Sequence, residues 1–258
     1  MANTVYPNKV IEAKAQDLLT TALNTRSLMT VDNSLTATAG MTKTINVYTY
    51  SGTAEELATG EANTNRGSIT YKGTDYTVKR VQQTFDYFDD DFMKDNFIVD
   101  SMLKGANQVM VNKMTADFIT ECGKATLTSN FAEFGYDAIV DAISAMNVED
   151  ESKIYIVIPN AWKADLRKDA DYKAARMGEV IYNGQVGTIA GMPVIATKAL
   201  TDAAYVMTNE AVKLFMKKDV EVEQERDIEK KENTVVLSTY YICALEDATK
   251  IVKMAANA

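Results

Sequence analysis

Asp86, Asp89, Asp90, Asp91 and Asp95 bring five carboxylates into one short stretch. Such a set has two chemical uses. Several oxygen ligands hold a hard cation, and two carboxylates in unequal surroundings divide general acid from general base work. No EF-hand loop, with its central Gly and terminal Glu, accompanies them. The same residues precede a helical pattern, where carboxylates cap free N–H groups and meet the positive end of the helix dipole. Capping accounts for them with fewer assumptions, so no metal and no catalytic role is assigned. A second pattern, Gly184, Gly187 and Gly191, follows a candidate strand but spells neither GxGxxG nor GxxxxGK[ST]. It reads as turns and tight packing rather than a nucleotide site.

The 258 residues contain no His, which removes Ser-His-Asp and Cys-His relays, HExxH zinc sites and imidazole switches. Cys122 and Cys243 are far apart in sequence and encode neither a CxxC pair nor a disulfide framework, which suits a reducing compartment. Lys and Arg number 27 against 36 Asp and Glu, a formal charge of -9, so a surface that tracks phosphates is disfavoured. With 47% hydrophobic residues the chain can bury a core and is too apolar for a disordered one. MANTVYPNKV lacks a basic region followed by an apolar one, and the strongest apolar run, Ile154 to Ile158, is far too short to span a bilayer. No enzyme activity, cofactor or membrane association is expected.

The elements follow from periodicity. Asn8 to Leu28 carries Val10, Ile11, Ala15, Leu18, Leu19 and Leu23 near helical spacing and reads as an arm with a short helix; the polar, Gly-containing stretch that follows reads as extended or irregular. TINVYTY alternates as a strand from Thr44 to Tyr50, and a second set runs through Ile69 to Tyr71, Tyr76 to Val81 and Phe85 to Phe88. Gly52, Gly60 and Gly67 separate the two in a stretch poor in apolar anchors, which predicts a long β-hairpin. An isolated two-stranded ribbon is marginal in water, so the hairpin needs a partner surface unless it folds back as a loop on its own domain.

From Asp91 onward the period becomes helical, with Ile98, Met102, Ala106, Val109, Lys113 and Met114 on adjoining turns and Gly123 at the stop. Tyr136 to Met146 predicts a helix whose face carries Ile139, Val140, Ile143 and Met146. Ile154 to Ile158 predicts a buried strand, after which Pro159 and Asn160 start a helix with Trp162 and Leu166 on its inner side. Asn183 and Gly184 signal a turn, and the C-terminal third reads mostly as β. In KKDVEVEQERDIEKKE, a charged helix and an alternating strand are both open. Alternation would set Val220, Val222 and Ile228 against Glu221, Glu223, Glu225 and Asp227, as a solvated face or as a charged row that meets neighbouring subunits.

The order of these pieces carries a resemblance. TINVYTYSGTAEELATGE, YTVKRVQQTFDYFDDDF, IYIVIPNAWKADLRKDADY, GTIAGMPVIATKAL, AVKLFMKKDVEVEQERDI and TYYICALEDATKIVKM, in that sequence, resemble the major capsid proteins of tailed bacteriophages, the Hong Kong ninety-seven type fold shared with encapsulins. GMPVIAT following IVIPNAW is the most specific part. The resemblance implies an α+β subunit with an N-terminal arm over 1–43, an extended β-hairpin loop over 44–82 and a peripheral domain with its spine helix over 83–152. An axial domain over 153–202 and return strands over 203–258 complete it. It implies a shell protein that assembles through hexamers and pentamers around double-stranded DNA, without sequence-specific binding, within a virion assembled in the host cytoplasm.

The short arm leads to the expectation of a separate scaffolding protein, beside a portal and a possible decoration protein. Subunit contacts are expected at Tyr50, Glu55, Glu56, Glu61, Arg66 and Lys72 of the hairpin and at Glu221, Glu223, Glu225 and Arg226 of the charged ribbon. The alternatives are an encapsulin-like compartment that loads an enzyme, separable only by cargo or neighbouring genes, and a soluble hydrolase or binding protein using the Asp86 to Asp95 carboxylates.

Overall fold

The structure is a computed structural model and describes residues 25–94, 98–175 and 187–257. The arm before Thr25, Asp95, and the turn at Asn183 and Gly184 lie outside the described residues. Three sheets organise the rest. Strands β1 (Thr30–Asp32), β2 (Thr42–Ser51), β3 (Ser68–Thr77) and β4 (Lys79–Phe88) lead into helices α1 (Asp89–Lys94) and α2 (Ile98–Cys122). Then follow β5 (Leu127–Phe131), α3 (Tyr136–Met146), β6 (Ile154–Pro159), α4 (Lys163–Lys168) and α5 (Ala170–Ala175). The chain continues with β7 (Thr188–Ile189), β8 (Met192–Thr197), β9 (Ala203–Thr208), β10 (Val212–Asp227), β11 (Glu232–Leu245) and β12 (Ile251–Ala256).

One sheet has the order β1-β10-β11-β4, and α2 lies on one face of it. The helix turns Val99, Leu103, Ala106, Met110, Met114 and Phe118 onto Leu214, Val222, Val235 and Leu237. This face overlaps the expected one at Ala106 and Met114 but is rotated from it: Val109 is half exposed and Met102 only partly buried, because the sheet lies beneath the row that runs through Leu103 and Met110. Gly123 does follow the last turn, its N–H donating to the Ile119 carbonyl at 2.9 Å. In β10 the alternation is real, with Val220 and Val222 inward and Glu223 and Glu225 outward. Ile228 departs from it. It sits in the β10–β11 turn, where Asp227 Oδ1 accepts the N–H groups of Glu229 and Lys230, and it is 72% exposed.

The second sheet has the order β5-β12-β9-β6-β8-β7. Its centre is β6, buried at every position as a continuous apolar run requires when both faces are covered. On one side α3 contributes Ile139, Ala142 and Met146, α4 contributes Leu166, and Trp162 packs edge-on to Phe131 at 5.4 Å. Val140 points outward instead, 38% exposed. The Asp169 carboxylate accepts N–H groups at the start of both α3 (Tyr136, 2.8 Å) and α5 (Asp171, 2.8 Å; Tyr172, 3.0 Å), and these hydrogen bonds hold its pKa below the ordinary value. A two-residue turn joins β7 to β8 with Ala190 at φ 49° and Gly191 at φ 83°, a conformation in which Gly carries no Cβ penalty.

Two expected boundaries fall inside packed units. The loop limit at 82 cuts β4, which pairs with β11 from Lys79 to Phe88. The limit between 152 and 153 separates β5 and α3 from the sheet they belong to, since β5 is hydrogen-bonded to β12 and Ile139 shares a core with Ile156 and Val206. Strand pairing joins segments more than a hundred residues apart, and no local pattern reports it.

The third sheet is the β2–β3 hairpin, in register from Thr42 opposite Thr77 to Ser51 opposite Ser68, with residues 52–67 as its tip. It is rooted by Ile45, which packs with Leu35, Val78, Phe215 and Ala244 on the sheet face opposite α2. Beyond that root it leaves the body of the protein.

Candidate functional site

The hairpin's exposed face is built by its register. Tyr48 stands opposite Tyr71 and Tyr50 opposite Ile69, so strand alternation puts all four on one side of the ribbon. They are between 58 and 67% exposed. The rings of Tyr48 and Tyr71 lie 5.4 Å apart, and the Tyr71 hydroxyl donates to Asn46 Oδ1 at 2.7 Å. Glycines let these rings lie flat: a Cβ on Gly73 would stand 2.5 Å from the Tyr71 hydroxyl, and one on Gly67 would collide with the Tyr50 ring. The result is a pre-ordered, uncovered aromatic surface, of the kind that marks an interaction site.

The tip is braced from within. Glu55 Oε2 accepts the Thr64 N–H at 3.0 Å and the Asn65 N–H at 3.4 Å, and Glu61 Oε2 accepts the Ala58 N–H at 3.3 Å. Glu55 and Glu61 therefore shape the tip before they can meet anything else. Glu56 and Arg66 are exposed there. Lys72, opposite Val47, faces a cleft of about 990 Å³ beneath the hairpin. In that cleft Lys213 pairs with Glu246 and Lys250 with Glu210, each at 2.5 Å. At its inner end Lys124 pairs with Glu121 at 2.6 Å and lies 5.3 Å over the Tyr76 ring, tying the hairpin root to the end of α2.

The second charged row is graded. The outer face of the β10-β11-β4 sheet reads Lys218, Tyr240, Arg80 near the hairpin, then Glu221, Ser238, Gln82, then Glu223, Val236, Thr84, and finally Glu225, Thr234, Asp86. Basic groups thus stand at one end and carboxylates at the other. Glu221 pairs with Lys218 and lifts that amine's pKa.

Arg226 does not join this row. It turns inward and meets Asp89 Oδ2 at 2.5 Å, and Asn233 Nδ2 reaches Asp89 Oδ1 at 2.8 Å. Burial alone would raise the Asp89 pKa, but these hydrogen bonds and the guanidinium charge hold it below the ordinary value. Asp89 is thereby spent on β10 and β11 instead of capping α1. The alternation of β10 places Arg226 on the same side as Val222 and Gln224, and the strand pattern already carried that signal.

The carboxylate cluster is dispersed: Asp86 accepts from Thr234 at 2.7 Å, and Asp91 faces Lys94 at 3.5 Å. Among the described residues no three His, Cys, Asp or Glu side chains converge as metal ligands. Cys122 and Cys243 are buried in the α2 core, where burial first and neighbouring negative groups second push both thiols far above their usual pKa. Tyr48, Ile69 and Tyr71 were not singled out from sequence, although they alternate; pairing across the hairpin is what unites them with Tyr50.

The sequence is 24% identical to the major capsid protein of Staphylococcus phage phiMR11 over 259 aligned residues, covering 98% of this chain and 94% of that protein. The structure is similar to the capsid structure of cyanophage P-SCSP1u, with a TM-score of 0.71 at 13% identity, over 89% of this chain and 86% of the other. It is also similar to the virus-like particle of Pyrococcus furiosus, with a TM-score of 0.68 at 11% identity, over 97% and 100% of the two chains. No protein-family model matches the chain. The fold is the phage capsid fold, in its α+β form with long helix, projecting hairpin and two sheets.

Proposed function

We propose, for a chain with the phage capsid fold and a full-length likeness to a phage major capsid protein, that it is a structural shell protein whose work is self-assembly rather than catalysis. Copies associate through hexamers and pentamers into an icosahedral virion shell around double-stranded DNA, in the host cytoplasm. A separate scaffolding protein and a portal assist, and a decoration protein is a further candidate partner.

The observation that carries this reading is the hairpin. Its two strands bury Ile45 alone and hold Tyr48, Tyr50, Ile69 and Tyr71 bare, an arrangement stable only when another surface covers it. That surface is a neighbouring subunit. The charged residues Glu56, Arg66, Lys72, Glu223 and Glu225 surround such contacts and set register, since rim charges govern orientation and rate more than affinity.

The test is light scattering behind a sizing column, with electron microscopy of the peak, on the chain expressed with and without its neighbouring genes. Megadalton spheres or ring-shaped capsomers support the reading; a monomer under all conditions, including high concentration, overturns it. The second reading is an encapsulin-like cargo compartment, because the fold is also similar to that of a virus-like particle. Nucleic acid or an enzyme inside purified shells decides between the two.

A further inference from the structure

Strand β4 is an open sheet edge. It ends the order β1-β10-β11-β4 and pairs with β11 without a break from Lys79 to Phe88, so its other side meets no strand among the described residues. The Asp89 N–H donates to the Lys231 carbonyl at 3.0 Å, one step beyond the Phe88–Glu232 pair. Alternation along an antiparallel ladder therefore turns the N–H and C=O groups of odd-numbered residues toward β11, and those of Arg80, Gln82, Thr84 and Asp86 outward. In keeping with that direction, the outward Thr84 carbonyl accepts from its own strand, from the Gln83 side-chain amide at 3.2 Å.

A regular, unpaired strand of this length is a template for another strand. The far edge of the same sheet is different. Beyond Phe215, β10 leaves β1 and shifts register twice, between Met216 and Lys218 and between Lys218 and Glu221, and such irregularities bend an edge away from pairing.

The side chains of β4 specify what can add to it. On the outer face Arg80 stands at one end and makes no ion pair among the described residues, while Asp86 stands at the other and accepts the Thr234 hydroxyl at 2.7 Å. On the face toward α2, Val81 and Phe85 are only partly buried at the rim of the core. An antiparallel copy of the strand centred on Gln83 sets Arg80 opposite Asp86, Gln82 opposite Thr84 and Val81 opposite Phe85, each twice, with Gln83 opposite itself. Even-numbered residues then meet even-numbered ones, so outward backbone groups find outward backbone groups. Sliding the copy by two residues keeps that match but sets Arg80 against Thr84 or Phe88, and both ion pairs are lost.

We infer that two copies of this chain join edge to edge through β4, about a two-fold axis at Gln83, so that their four-stranded sheets become one and Arg80 of each copy faces Asp86 of the other. The contact rests on the reading that the chain self-assembles, and it adds a surface separate from the hairpin.

The test uses the full chain carrying Gln83→Cys. Opposed residues of a pair without mutual hydrogen bonds have Cα atoms ~4.5 Å apart, within reach of a disulfide, whereas the native Cys122 and Cys243 are buried. Assembly is followed by light scattering, and diamide oxidation to a covalent dimer by non-reducing electrophoresis. Dimers should form roughly tenfold faster or more for Gln83→Cys than for Val140→Cys, a partly exposed position on α3. Added to Gln83→Cys, Arg80→Asp or Asp86→Arg alone should slow linking to the Val140→Cys rate, and the two together should restore it, because the exchanged charges meet again across the axis. A role for either residue within its own subunit predicts no such restoration. Particles that assemble while Gln83→Cys links no faster than Val140→Cys overturn the contact and spare the shell reading; a chain that neither scatters nor links overturns both. Single reversals without effect, or a double reversal without restoration, overturn the facing of Arg80 and Asp86.

Discussion

Helix α2 and the β2–β3 hairpin are both long, thin elements, and they handle apolar surface in opposite ways. The 25 residues of α2 bury ten side chains, Phe118, Met114 and Leu103 among them, against the four-stranded sheet. Each large one is worth roughly 1.5–3 kcal/mol of burial, obtained when the subunit folds. The two ten-residue strands of the hairpin bury Ile45 alone and leave five large apolar or aromatic residues, Val47 among them, in water. Their burial is deferred to association. The difference separates what makes a subunit from what makes an assembly, and it can be attacked from either side.

The largest expected effect is on assembly. Asn46 pairs with Gly73, so deleting Val47 through Lys72 leaves Ile45-Asn46-Gly73-Thr74, an Asn-Gly turn that closes the hairpin root without strain. The shortened chain should melt within a few degrees of the parent by calorimetry and form no closed shells by electron microscopy. Normal particles would break the comparison. Next comes the helix: Phe118→Ala opens a cavity in a site 2% exposed and should lower unfolding free energy by about 3–5 kcal/mol in urea titrations. Tyr48→Ala with Tyr71→Ala should cost the isolated subunit under about 1 kcal/mol, because their tilted rings meet in the open.

A smaller effect belongs to the inward ion pair. The Asp89 pKa is depressed from 3.8 in the folded chain, so its contribution is present above the unfolded value and is lost as pH falls through the folded one. Asp89→Asn should therefore lower stability near neutral pH and flatten its decline between about pH 5 and pH 2, as read by melting temperature. The smallest effect on folding is expected from the outer row. Glu223→Gln with Glu225→Gln should leave the subunit's melting unchanged within about 0.5 kcal/mol. The same pair should alter the salt dependence of assembly rate, measured by light scattering at several ionic strengths. An unchanged salt response would make these carboxylates a solvated face only.

Elements whose chemistry is local were legible. Tyr136–Met146 matches its expected limits, and Ile154–Pro159 was read from five consecutive apolar residues that only a doubly covered strand tolerates. The hairpin was legible because two alternating runs flank a glycine-punctuated, polar stretch. The face of α2 was legible only in part, at Ala106 and Met114. Met102 and Val109 are as apolar as Leu103 and Met110, and which row is buried depends on where β10 and β11 lie beneath it. Candidate site residues divide the same way: Tyr50 was recognisable as an exposed aromatic, whereas the use of Glu55 at the tip and of Arg226 against Asp89 depends on contacts across nine and 137 residues.

The sequence by itself excluded imidazole-dependent relays, and it marked a projecting ribbon with too few anchors to stand alone. Those are properties of composition and short-range periodicity, and they hold whatever the chain packs against. Tertiary structure alone decided that β5 and β12 extend the β6 sheet beyond β9, that Tyr48, Tyr50, Ile69 and Tyr71 form one surface, and that Asp89 holds Arg226 rather than a helix end. Strand register and ion-pair choice are settled by distant partners competing for the same groups, and the free-energy difference between those pairings lies outside any local window of residues.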